Sequence, residues 1–196
     1  MNDQEREAII ALRGGNIRGL EALVRLHQLR ALRTAYNITG DRQLAEDIVA
    51  DAFLTVHDRI GQFDSRRPFE PWFYRIVVNG ALKALRKTSR SPTVADEDTS
   101  IGQADPALGP EMNVLLRETR LLLWDAVGSL PPKQRAVVVL RHYLDLDERT
   151  IAQTLGCPLG TVKWRLHAAR SRLRRILEQI DAADREWGYA PKGETT

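Results

Sequence analysis

The chain has 196 residues and a formal net charge of +3; 43% of its residues are hydrophobic, 28% charged and 6% aromatic. This is the composition of a globular chain long enough for one or two small cores, and the few aromatics argue against an aromatic-cored β-sandwich. The apolar runs Leu121 to Trp124 and Ala136 to Leu140 are far too short to cross a membrane, the polar start Met1 to Glu5 is not a secretory signal, and a single cysteine, Cys157, excludes an internal disulfide framework or a cysteine-rich zinc site, so a reducing cytoplasm is the expected compartment.

Apolar residues recur at helical spacing over Glu5 to Leu12 and over Leu20 to Tyr36, with Gly14-Gly15-Asn16 breaking the two apart. After a second break at Asn37 to Gly40, Asp41 is placed to cap a helix running to about Phe63. Its apolar stripe is Leu44, Ala45, Ile48, Val49, Ala52, Phe53, Val56 and Ile60. Pro68 and Pro71 are expected to bracket a loop, and a fourth helix is expected from about Trp72 to Lys87. Residues 88–112 hold five acids against one Arg and no periodic apolar stripe, which predicts a flexible acidic linker. Helical patterning resumes at Val114 and continues to about Glu178. No β alternation, internal repeat or glycine-rich phosphate loop is present. The fold class is therefore all-α, in two small helical domains.

Charge is unevenly spread. Residues 65–90 carry seven basic side chains against one acidic, and residues 149–177 carry seven against none, in a chain otherwise acidic by segment. Two such blocks point to a polyanionic partner, against the alternative of two solvated helix faces.

The second block reads as a helix-turn-helix. Asp147 is placed to cap a short helix, Glu148 to Leu155; Gly156-Cys157-Pro158 turns the chain, because glycine suits a left-handed cap and proline blocks continuation. A second helix follows, with Val162 and Leu166 turned toward the small Ala152. Its remaining surface carries Thr161, Lys163, Trp164, Arg165, His167, Arg170 and Arg172. Residues at such a helix start can reach base edges in a major groove, while the later arginines suit phosphates. The alternative is an ordinary basic αα-hairpin.

The first block interleaves aromatics with arginines, from Ser65-Arg66-Arg67-Pro68-Phe69 through Trp72-Phe73-Tyr74-Arg75 to Asn79, followed by Lys83 and Arg86. Aromatic faces beside cations fit unstacked, single-stranded bases better than duplex DNA. Against this stands the reading that Phe69, Trp72, Phe73 and Ile76 are core and Asn79 a structural amide. On the helix begun at Asp41, Asp47, Asp51 and Asp58 project within about 40° of one another with Leu54 beside them, opposite the apolar stripe. That face is either solvated charge or a dock for a basic protein.

Four segments, Ala45-Glu46-Asp47-Ile48-Val49-Ala50-Asp51-Ala52-Phe53, Pro71-Trp72-Phe73-Tyr74-Arg75-Ile76-Val77-Val78-Asn79, Ser129-Leu130-Pro131-Pro132-Lys133-Gln134-Arg135 and Leu155-Gly156-Cys157-Pro158-Leu159-Gly160-Thr161-Val162-Lys163, occur in that order. Together they resemble the extracytoplasmic-function (ECF) group of bacterial RNA polymerase sigma factors. The resemblance covers about residues 5–178. It implies a region 2 domain at 1–87, a linker at 88–112 threading the RNA exit channel, a region 4 domain at 113–180 and a tail at 181–196. It implies that Asp47, Asp51, Leu54 and Asp58 dock the β′ coiled coil of core polymerase. Phe63, the loop 64–71 and Asn79 would hold a flipped −10 base, with Arg66, Arg67, Trp72, Tyr74, Lys83 and Arg86 also on −10 DNA. The second domain would sit on the β flap and read the −35 element through the surface listed from Thr161 to Arg172. An anti-sigma factor is one route of control that the resemblance implies. The chain departs from the family at Lys83, at Asp145 to Thr150 in place of a Gly-Leu-Ser-containing stretch, at Trp164 where Ser is common and at Ala168 where Arg is common, so a promoter sequence does not transfer.

A plain helix-turn-helix regulator would need neither the Trp72–Asn79 segment nor the acidic face. A DNA-cleaving enzyme would need a metal or nucleophile constellation, and His27, His57, His142 and His167 are scattered without ligand spacing. No enzymatic activity and no cofactor are expected.

Overall fold

The computed structural model describes residues 3–88 and 122–186, and these are helical, with no strand among them. Four helices form the first lobe: α1 (Asp3–Arg13), α2 (Arg18–Thr39), α3 (Arg42–Arg59) and α4 (Phe69–Thr88), with a 3₁₀ turn at Ile60–Gln62. The second lobe contains α5 (helical over 122–128), α6 (Pro132–His142), α7 (Glu148–Leu155) and α8 (Leu159–Glu186). Apart from Thr88, the expected linker lies outside the described residues, as does most of the tail.

Local chemistry accounts for the boundaries. Asp41 accepts the Leu44 N–H at 2.9 Å, capping α3 as expected. α4 starts at Phe69, three residues before the expected start, so Pro71 lies inside the helix rather than closing a loop. Proline is tolerated there because first-turn N–H groups have no intrahelical acceptor to lose. α8 continues past Glu178 to Glu186.

α2 runs through the centre of the first lobe and packs on α1, α3 and α4. At Gly19 a Cβ would stand 2.4 Å from the Ala8 carbonyl oxygen, so only glycine permits the close crossing of α1 and α2. A buried polar pair also joins these helices: Glu5 Oε1 lies 2.9 Å from His27 Nε2. The imidazole rests against Phe69 and Phe73, with ring centroids 5.3 and 5.7 Å away. Phe69 and Phe73 are fully buried, and each such side chain contributes about 1.5–3 kcal/mol by leaving water.

The two lobes are packed together. α6 lies against α2 and α4, and α7 against α4. One continuous apolar cluster takes in Ala31, Ile38, Tyr74 and Val78 of the first lobe with Val137, Leu140, Leu144 and Ile151 of the second. Two arginines cross the junction: Arg30 Nη2 donates to the Leu144 carbonyl at 3.2 Å, and Arg135 Nη1 to the Ile38 carbonyl at 2.8 Å. The sequence patterning showed two domains and nothing of this contact.

Candidate nucleic-acid and partner surfaces

α3 presents two opposite faces. Ala45, Ile48, Val49, Ala52, Phe53 and Val56 are buried, while Asp47, Asp51, Leu54 and Asp58 are exposed, Leu54 by 60%. The Gln43 amide reaches Asp47 at 3.5 Å and His57 Nδ1 lies 3.2 Å from Asp58. Among the described residues no Lys or Arg pairs with Asp47, Asp51 or Asp58. An exposed leucine ringed by uncompensated carboxylates is suited to a partner offering an apolar contact and positive charge.

The aromatic segment divides into core and surface. Phe63 meets Phe69 edge-on with centroids 5.6 Å apart and lies 5.1 Å from Trp72, and Phe69 stacks parallel to Phe73 at 5.7 Å. Phe63 is only 3% exposed and Tyr74 only 1%. This corrects the expectation that both side chains face DNA. Phe63 is drawn inward because Arg13 donates to the carbonyls of Ile60 and Phe63, pinning the 3₁₀ turn against α1. Tyr74 lies at the lobe junction, where burial raises its phenol well above its ordinary value, opposed by nearby Arg30 and reinforced by Glu70 and Tyr143. Trp72 is half-buried and keeps part of its ring accessible.

Between Phe63 and Phe69 the loop is organised by Asp64. Its carboxylate accepts from the Arg66 N–H (3.1 Å), Arg66 Nε (2.9 Å) and Arg66 Nη2 (3.2 Å), with Arg67 Nε 3.7 Å away. These side-chain and backbone hydrogen bonds from Arg66 hold the carboxyl below the usual aspartate range. The two loop arginines are thus exposed but oriented by a shared anion. Asn79, Lys83 and Arg86 are exposed along one face of α4, and Arg75 extends that face by one turn. Asp64 enters the expectation only as part of the loop 64–71, and Arg75 is not among the expected contacts. The Asp-x-Arg-Arg spacing and the four-residue step from Arg75 to Asn79 are the signals that mark them.

The helix-turn-helix follows the sequence closely. Asp147 accepts the N–H groups of Arg149 (2.8 Å) and Thr150 (2.9 Å) and the Thr150 hydroxyl (2.8 Å), which holds its carboxyl below the usual aspartate range. Gly156 ends α7 at φ 59°, the left-handed region that favours glycine. Val162, Leu166 and Ala169 turn inward, leaving Lys163, Trp164, His167, Arg170 and Arg172 exposed and Thr161 and Arg165 half-buried. Arg165 Nη1 lies 3.7 Å from Cys157 Sγ, so its guanidinium is steadied by the turn. Burial, with Arg170 and Arg141 nearby, depresses the pKa of His142. Trp164, 63% exposed at the helix start, is the largest apolar side chain offered by this surface.

Residues 23–91 match the family described as Sigma-70 region 2, and residues 120–173 match Sigma-70, region 4. The RNA polymerase sigma-H factor of Pseudomonas aeruginosa is 28% identical over 185 residues, covering 91% of this chain and 96% of that protein. The ECF RNA polymerase sigma factor SigW of Bacillus subtilis is 32% identical, covering 81% of this chain and 88% of SigW. The ECF RNA polymerase sigma-E factor of Escherichia coli is 30% identical, covering 79% and 83%. Among solved structures, CnrH bound to the cytosolic domain of CnrY aligns with a TM-score of 0.65 at 23% identity, over 90% of this chain and 99% of that one. The sigma factor RpoE of Bartonella quintana, bound to the anti-sigma factor NepR, aligns at 0.63 with 22% identity, over 81% and 96%. These two likenesses establish the fold. No helix among the described residues is long and apolar enough to cross a membrane. With both sigma-70 regions in order, and two relatives at 30% identity or more matched over most of their length, the chain belongs to the ECF group of the sigma-70 family and is a sigma factor that directs RNA polymerase to promoters.

Proposed function

We propose a division of labour among the three surfaces. The α3 face of Asp47, Asp51, Leu54 and Asp58 docks the β′ coiled coil of core polymerase. The α4 face of Asn79, Lys83 and Arg86, together with Trp72 and the Asp64-ordered arginines Arg66 and Arg67, receives the melted −10 strand. The start of α8, with Thr161, Lys163, Trp164 and Arg165, reads the −35 element while His167, Arg170 and Arg172 track phosphates. Extruding a base from duplex costs a few kcal/mol, which the half-buried Trp72 ring and the exposed Asn79 amide would offset by stacking and hydrogen bonding. The functional units are residues 1–87 and 113–180, the chain works in the cytoplasm beside its polymerase, and it performs no catalysis of its own. Two of the similar structures are complexes with a partner, one of which is the anti-sigma factor NepR, and this supports an anti-sigma protein as regulator here.

The observation that carries this reading is the pairing, in one chain, of an uncompensated acidic face with two separate cationic surfaces. A regulator that binds only duplex DNA has no use for the first. Run-off transcription with core polymerase on genomic DNA, followed by start-site mapping, tests it. Discrete starts that share −35 and −10 elements are expected. Binding to duplex DNA with no polymerase-dependent starts would refute it.

A further inference from the structure

We infer that Trp164 reads thymine: placed at the outward midline of α8, its indole contacts a thymine C5-methyl on the floor of the −35 major groove, so that this chain selects its −35 element in part through an apolar contact. The inference rests on the −35 role proposed above for the start of α8, and it gives that surface a base preference.

The placement follows from the helix itself. Val162, Leu166 and Ala169 are buried. Trp164 stands about 140–160° around the helix from all three, at about 100° per residue, and so lies close to the most outward line of α8. Lys163 and Arg170 lie about 100–120° to one side of it, and Arg165 and Arg172 about 80–100° to the other. A helix that enters a major groove with this line leading carries its cations along both walls, where phosphates and the nearer base edges lie. The indole then points at the floor.

The ring is unengaged within the protein. Trp164 is 63% exposed, with neither a hydrogen bond nor a ring contact among the described residues. The positions one turn before and one turn after it are Gly160 and Ala168. A Cβ at Gly160 would meet no atom within 4 Å, so no side chain folds back over that turn. Trp164 and Ala168 are both departures from the residues common in the family, and they work together. An arginine at 168 would stand beside the ring at the i+4 position, whereas alanine leaves it uncovered.

Chemistry then selects the base. Among the groups that base pairs present in the major groove, the thymine methyl is the apolar one. The indole has one N–H donor and no acceptor, so it cannot receive the amino groups of adenine or cytosine. Contact between ring and methyl removes two apolar surfaces from water, a gain that no other base edge returns. A ring laid along the sugar–phosphate wall would gain equally with every sequence, but the walls are the sides faced by Lys163, Arg165, Arg170 and Arg172.

The test titrates polymerase holoenzyme, formed with the full chain, with promoter duplexes whose −35 element is taken from mapped start sites. One series inverts each −35 base pair in turn. A second puts uracil in place of each thymine on either strand, which removes the methyl and keeps every hydrogen-bonding group. Inversion should lower affinity at several positions, as the −35 role requires. Uracil should lower it about fourfold at one thymine or at two adjacent ones, the worth of one buried methyl-sized group. At that position 5-methylcytosine should bind more tightly than cytosine. In Trp164→Ser, with an unchanged circular dichroism spectrum, the uracil effect should vanish while the response to inversion elsewhere remains. Equal affinity for thymine and uracil at every position in the wild type, which needs no variant to read, would overturn the inference and leave the −35 role standing. So would a uracil effect that survives in Trp164→Ser. Indifference of the wild type to every inversion would refute the −35 role itself, and the inference with it.

Discussion

Phe63→Ala separates a core role from a DNA-facing one. The ring is 3% exposed, lies edge-on to Phe69 at 5.6 Å and leans on Trp72 at 5.1 Å. Truncating a buried phenylalanine costs about 3–5 kcal/mol through lost transfer energy and the cavity left behind. The two aromatic contacts contribute about 0.5–1.5 kcal/mol each beyond area burial, and part of that is already within the first figure. A loss of about 4 kcal/mol is therefore expected from a total stability of about 5–15 kcal/mol. Urea denaturation followed by far-UV circular dichroism measures it, as a fall in midpoint at constant slope. Phe63→Leu keeps most of the volume and should recover more than half of the loss. The loop 64–68 loses the floor beneath it in Phe63→Ala, so promoter opening should fail together with stability. An unchanged midpoint accompanied by lost promoter opening would show that the ring faces DNA, and the core assignment would be wrong.

Asp51→Arg should weaken core polymerase binding about tenfold at low salt, less so at high salt because exposed charges are screened, with an unchanged circular dichroism spectrum; fluorescence titration at two ionic strengths checks this. Asn79→Ala should slow open-complex formation more than initial binding in permanganate footprinting, and a pre-melted template should rescue it only in part, full rescue meaning that the amide does not contact the base. Lys163→Ala and Arg165→Ala should flatten discrimination among −35 variants by about 1–3 kcal/mol, whereas Arg170→Ala should weaken all variants alike and reduce the salt slope by about 0.9, as read from binding isotherms of the full chain at several salt concentrations. The Asp147 carboxyl is held below the usual aspartate range by N–H and hydroxyl donors, so its folded value is depressed: its stabilising contribution is present above the unfolded value, about pH 4, and is lost as pH falls through the folded value. Thermal melts of wild type and Asp147→Asn between pH 6 and pH 2.5 should therefore converge as pH drops, and parallel curves would show that the Asp147 charge adds nothing to the cap.

Much of the second lobe was legible from residue types alone. Asp147, Gly156 and Pro158 act within a few residues of where they stand, through a side-chain acceptor, a left-handed φ and a missing N–H, so no distant partner is needed to read them. Asp145 belongs to the same stretch: it takes φ 54° at a point where the resembled family has a Gly-containing segment, and Asp tolerates that conformation better than most non-glycine residues. The acidic face of α3 was legible for a similar reason, since one helix with one buried stripe leaves no doubt about which side is outward.

α4 is where local reading ran out. It is packed on α2 and α3 and, through the second lobe, on α6 and α7, so its aromatics and arginines alternate among more than two environments. Helical periodicity ranks positions around one axis and cannot say how many neighbours that axis has. Hence Trp72 and Asn79 kept an outward aspect while Phe63, just ahead of the helix, and Tyr74 within it went inward. The residue types were consistent with either outcome; only the approach of Arg13 to the 3₁₀ turn and of the second lobe to Tyr74 decided between them. The sequence by itself determined the helices, their caps and the charge of each surface, because these depend on neighbours along the chain. The tertiary structure alone decided which aromatics are core, how Asp64 orders the loop arginines and that the lobes meet, because each depends on contacts between residues far apart in sequence, such as Arg30 with Leu144 and Arg135 with Ile38.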